Sequence, residues 1–108
     1  MIGRWAGWIA LLAIVLGCAT HYARPQNGTV YLYLKHPAAE QVLLACSVDG
    51  FTRRPARRIR GGLWEAAVDT SKEFRYFYII DGSVYIPACR FAEMDDWGGK
   101  NCIYVPGM

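Results

Sequence analysis

The pair Asp81-Gly82 restricts this chain more than any other feature. It follows residues 74–80, FRYFYII, and precedes residues 83–86, SVYI. A two-residue hairpin turn needs positive φ at both central positions, and Asp-Gly is among the few pairs that supply it. The sequence therefore predicts a β-hairpin here. In its first strand Phe74, Tyr76, Tyr78 and Ile80 share one face, and Arg75, Phe77 and Ile79 share the other. Turn pairs recur at Asp49-Gly50 and Gly61-Gly62. Between the turns lie further short runs of strand formers: residues 29–34 (TVYLYL), 42–48 (VLLACSV), 63–68 (LWEAAV) and 101–105 (NCIYV). His36-Pro37 ends the first of these, because proline breaks a ladder. Trp64, Ala66 and Val68 lie on one face, and Trp64 is assigned to the core. Residues 87–100 are expected to form an irregular loop. No stretch carries sustained helical periodicity with caps. Short strands separated by turns point to an all-β sandwich.

The first 17 residues stand apart. Arg4 is followed by an apolar run over residues 5–16. As a helix that run would reach about 18 Å, short of the roughly 30 Å of a bilayer core, so it reads as a signal-peptide segment. Residues 15–18, VLGC, resemble a bacterial lipobox, in which the cysteine is acylated and becomes the new N-terminus. Cys18 is the expected lipidation site. An ordinary secretory signal or an uncleaved anchor are the alternatives. Ala19 in the next position implies, for a Gram-negative cell, sorting to the outer membrane facing the periplasm. The expected organisation is a signal peptide over 1–17, a lipidated polar tether over 18–28, and one domain over 29–108. That length has no room for a second domain or a deep cleft between lobes.

Besides Cys18 the chain holds Cys46, Cys89 and Cys102. At most one disulfide forms among three, and Cys89 with Cys102 is the candidate pair, bracketing the long loop. Cys46 lies in an apolar strand and reads as a small buried hydrophobe. With no CxxC and only His21 and His36, neither a zinc nor a redox site is expected. Asp95 and Asp96 lack the ligand ladder of a calcium loop. Without the leader, eleven basic against nine acidic residues give a charge of +2, too mild for a nucleic-acid binder. Five arginines do cluster, at Arg53, Arg54, Arg57, Arg58 and Arg60. They read as a solvated loop or, in a tethered domain, as a contact for a membrane surface or another anion.

Four segments together carry a resemblance: residues 42–51 (VLLACSVDGF), 62–68 (GLWEAAV), 76–82 (YFYIIDG) and 95–101 (DDWGGKN). Their order resembles the early-set, immunoglobulin-like domain of carbohydrate-binding module family 48, which includes the glycogen-binding domain of the AMP-activated protein kinase β subunit. The resemblance spans residues 42–105 and implies an immunoglobulin-like sandwich that holds α-1,4-glucan on one open surface. The family's first stacking tryptophan falls at Phe51, its ring-threading leucine at Trp97, and its asparagine at Asn101. These three are the implied carbohydrate-binding residues. The family's lysine falls at Phe77 and its second stacking tryptophan at Val84, and neither replaces the lost contact.

No nucleophile–base set, carboxylate pair or cofactor loop is present, so no enzyme, cofactor or metal is expected. Two function classes remain. One is a lipid-anchored envelope protein that binds an α-glucan or another envelope glycan. The other is an envelope module for protein–protein or membrane-surface contact, favoured by Phe77, Ile79 and Val84 as an apolar outer patch and by the arginine run.

Overall fold

A computed structural model describes residues 20–94 and 98–107. The expected signal peptide, Cys18, Asp95, Asp96 and Trp97 lie outside the described residues. Among the described residues ten strands follow in order: β1 (His21–Gln26), β2 (Thr29–Lys35), β3 (Val42–Cys46), β4 (Arg54–Pro55), β5 (Arg57–Arg60), β6 (Leu63–Val68), β7 (Phe74–Ile80), β8 (Ser83–Tyr85), β9 (Ala92–Met94) and β10 (Lys100–Tyr104), with one 3-10 turn at Ser47–Asp49. They form two antiparallel sheets. The smaller has the order β1-β2-β6-β5. The larger has the order β4-β3-β7-β10-β9, with β8 also paired to β7. The protein is thus all-β with two sheets packed as a sandwich.

Alternation builds the core. Val30, Leu32 and Leu34 of β2 and Trp64, Ala66 and Val68 of β6 face inward from the smaller sheet. Val42, Leu44 and Cys46 of β3, all four even-numbered residues of β7, and Cys102 and Tyr104 of β10 meet them from the larger one. Each large apolar side chain so buried contributes about 1.5–3 kcal/mol. The Trp64 indole Nε1 donates to the His36 carbonyl at 3.1 Å, so the core tryptophan leaves no polar atom unpaired. Cys89 and Cys102 are joined by a disulfide, and Cys46 is a free, buried thiol.

Two segments depart from the sequence reading. Residues 21–26, expected to belong to a tether, form β1, paired along its length with β2. Asn27 (φ 52°) and Gly28 (φ 82°) make the connecting turn, with the same signs as Asp81 (φ 49°) and Gly82 (φ 86°). Pro25 is tolerated because β1 is an edge strand. The arginine run, expected to be a loop, is divided between the sheets. Arg54 and Pro55 pair with β3, Arg57–Arg60 pair with β6, and Ala56 marks the crossing, its N–H bonded to the Val42 carbonyl at 2.8 Å. Short charged strands at an edge resist pairing with another chain. The expected irregular loop over 87–100 contains β9.

Candidate binding surface

The outer face of the larger sheet gathers most of the residues named above. The chain leaves β3 through the 3-10 turn and passes through Gly50 (φ 71°) into Phe51, itself at φ 64°. A left-handed backbone costs a non-glycine residue about 1–2 kcal/mol. The loop around it is braced. The Phe51 N–H donates to the Cys46 carbonyl at 2.8 Å, the Thr52 hydroxyl donates to the Asp49 carbonyl at 2.9 Å, and Arg54 pairs with the Asp49 carboxylate. That guanidinium holds the Asp49 carboxyl below the usual carboxylate range. The backbone bend lays the Phe51 ring against Phe77, with centroids 5.9 Å apart and planes 20° from parallel, and leaves Phe51 39% exposed.

Asn101 belongs to the same face. Its neighbour Cys102 points inward opposite Tyr76, so Asn101 turns outward beside the Phe77 position, half-buried and opposite Glu93 of β9. Glu93 in turn pairs with Arg75, which also reaches Glu73 at 3.5 Å. Phe51 and Asn101 therefore share one surface with Phe77 between them. Trp97 lies outside the described residues. Phe77 carries two readings from the sequence, a lost lysine contact and a member of an apolar outer patch. Its placement one strand from Ala45 and under Phe51 makes it the floor of an aromatic pair instead.

The expected outer patch of Phe77, Ile79 and Val84 needs one correction. Pro55, Leu43, Ile79 and Val84 stand in one row across four strands. Its neighbours on both sides cover Ile79, which is 2% exposed, while Val84 is 64% exposed at the rim. Phe91 and Met94 of the segment leading through β9 are exposed as well.

The five arginines do not act as one cluster. Arg54 is paired with Asp49, and Arg57 with Glu65 at 2.9 Å. Arg58 lies over the Trp64 ring, 4.7 Å from its centroid, and donates to the Ala39 carbonyl. Arg53 and Arg60 are exposed and make no ion pair among the described residues. On the outer face of the smaller sheet, Tyr22 stacks on Tyr33 at 5.0 Å. The Tyr33 hydroxyl donates to Glu65 at 2.8 Å, and Arg57 donates to the other oxygen of the same carboxylate. That donation to Glu65 raises the Tyr33 pKa.

Two partly buried groups escaped the sequence reading. His21, assigned to the tether, packs between Tyr76 and Tyr78, with Nε2 at 3.1 Å from the Tyr78 hydroxyl. Its alternation with Ala23 in β1 was the available signal. His36 stands edge-on to Tyr85 at 5.5 Å. Among the described residues no group of three or more His, Cys, Asp or Glu is placed to hold a metal ion. No protein-family model matches the chain, and no curated protein matches it.

Proposed function

We propose that this protein is a non-catalytic, lipid-anchored envelope protein whose early-set, immunoglobulin-like domain of the carbohydrate-binding module type holds a glycan on the outer face of the larger sheet. One observation carries the reading. Phe51 occupies a left-handed backbone that favours glycine, and the result is an exposed ring stacked on Phe77 beside Asn101. Strain retained at an exposed position is a mark of a functional site. A sugar ring would stack its C–H face on Phe51, and Asn101 would bond a hydroxyl. The absent lysine and second tryptophan each remove about 1–2 kcal/mol, so the affinity belongs in the millimolar range, near 4 kcal/mol.

The test is affinity electrophoresis of the mature protein through glycogen, amylopectin and soluble peptidoglycan fragments. Wild type is retarded in at least one gel, and Phe51→Ala and Asn101→Ala migrate freely. Absence of wild-type retardation in all of them discards the glycan reading. Exposure of Val84 (64%) and Phe91 (40%) supports the second reading, a protein-contact module on the same face. The anchor reading rests on residues 15–18 and is tested by mass spectrometry of the acylated N-terminal peptide at Cys18.

A further inference from the structure

We propose that one end of the sandwich, at Thr20, Lys35, Arg58 and Arg60, is a seat for an anionic lipid leaflet, with the corner of the smaller sheet turned down onto it. This inference rests on acylation of Cys18. The register supplies the geometry. The Lys35 N–H donates to the Thr20 carbonyl at 2.8 Å, Lys35 stands opposite Leu63, and Leu63 stands opposite Arg60. Thr20, Lys35, Leu63 and Arg60 thus form one row across all four strands of the smaller sheet. At about 4.8 Å per strand, Arg60 is roughly 14 Å from Thr20.

The anchor reaches that row directly. Cys18 precedes Thr20 by two residues, and two extended residues span at most about 7 Å. That is no more than one Debye length at physiological salt, about 8 Å. The charges of the row therefore act on the leaflet with little screening. Lys35, Arg58 and Arg60 are all exposed there, and the contact with Trp64 and the Ala39 carbonyl keeps the Arg58 guanidinium at this end.

Acidic groups set the tilt. Glu40 and Asp81 occupy the same end on the side of the larger sheet, where Asp81 Oδ1 accepts the Glu40 and Gln41 N–H groups. A negative leaflet repels that corner and attracts the other. Arg53, Arg54 and Arg57 lie further from the anchored row, and two of them are already paired. In this pose Asn27, Gly28 and Lys72 point away from the bilayer. The surface at Phe51 and Asn101 stays open to the side.

The test uses the full acylated chain in vesicles of phosphatidylglycerol and phosphatidylethanolamine with a nitroxide on the headgroups. A fluorophore is placed in turn at Ile59→Cys (basic corner), Ser83→Cys (acidic corner) and Lys72→Cys (far end). Headgroup quenching is expected to be several-fold stronger at 59 than at 72, with 83 between them. Adding Lys35→Glu and Arg60→Glu brings 59 to the level of 83, while the protein still floats with the vesicles. Equal quenching at all three positions on a floating protein overturns the seat and leaves the anchor reading standing. A chain that fails to float overturns both.

Discussion

Acid should loosen this protein through one side chain. His21 sits at the start of β1 with its imidazole between the Tyr76 and Tyr78 rings, both centroids 5.6 Å away. The adjoining cavity, about 110 Å³, is lined by Tyr22, Tyr76, Cys89, Arg90 and Ile103 among others, and by no carboxylate. Burial pulls the His21 pKa from 6.5 down to about 4. The unfolded chain therefore takes up a proton as pH falls through 6.5, and the folded chain does so only near 4. Between those values the unfolded state binds more protons, so stability falls with falling pH and levels off below 4. The gap sets an upper bound of about 3 kcal/mol. The ring is only partly buried, and solvent screening reduces the expected loss to about 2 kcal/mol. Asp49 titrates below this window, because Arg54 lowers its pKa. The assay is urea unfolding at pH 7.5 and 4.5. With a slope near 1 kcal/mol per molar urea, typical of a small domain, the wild-type midpoint should drop by about 2 M. The His21→Gln variant should drop by less than a quarter of that, whatever its stability at neutral pH. Equal drops in the two proteins would refute the assignment to His21.

Four further outcomes follow from particular contacts. At Gly62 (φ 90°) an added Cβ would lie 2.6 Å from the Pro37 Cα, so Gly62→Ala should cost about 2–4 kcal/mol in thermal unfolding, and a wild-type melting curve counts against that contact. Reducing the Cys89–Cys102 disulfide, which closes a loop of sequence separation 13, should cost about 3 kcal/mol, read as a lower melting temperature in dithiothreitol. Phe51→Gly relieves a left-handed φ worth about 1 kcal/mol and loses a stacking contact of similar size, so stability should hold while glycan retention disappears. Retention by that variant removes Phe51 from the site. Cys46 is 5% exposed and its pKa is raised by burial, so iodoacetamide should modify it only in denaturant, and rapid labelling of the native protein contradicts its placement.

The interior strands were legible because their chemistry is local. Residues 29–34, 63–68 and 74–80 alternate or run apolar, and Asp81-Gly82 fixes its hairpin by backbone angles alone. The edges were not. β1 has only His21 and Ala23 partly buried, so its hydrophobic pattern is nearly absent and Asn27-Gly28 remained its one clear signal. β4 and β5 carry arginine because an edge must repel other strands, and the same arginines make a strand look like a loop. On the candidate surface, position-by-position comparison identified Phe51 and Asn101. It could not show that Phe77 would lie under Phe51, because that contact depends on a backbone turn 26 residues earlier in the chain.

The two outer faces differ in how much of their own chemistry they satisfy, and that difference decides where a ligand belongs. On the smaller sheet, Tyr22, Tyr33, Glu65 and Arg57 form one row across all four strands, and both oxygens of Glu65 are taken. A ligand there would have to displace pairs already worth several tenths of a kcal/mol each. On the larger sheet the ion pairs stop at Arg75 and Glu93. Beyond them Phe51 and Val84 are exposed, and among the described residues neither has a polar side-chain partner to lose. Binding at that face removes apolar surface from water without first breaking an internal contact. A ligand of either proposed class, sugar or protein, is therefore expected on the face that carries Phe51.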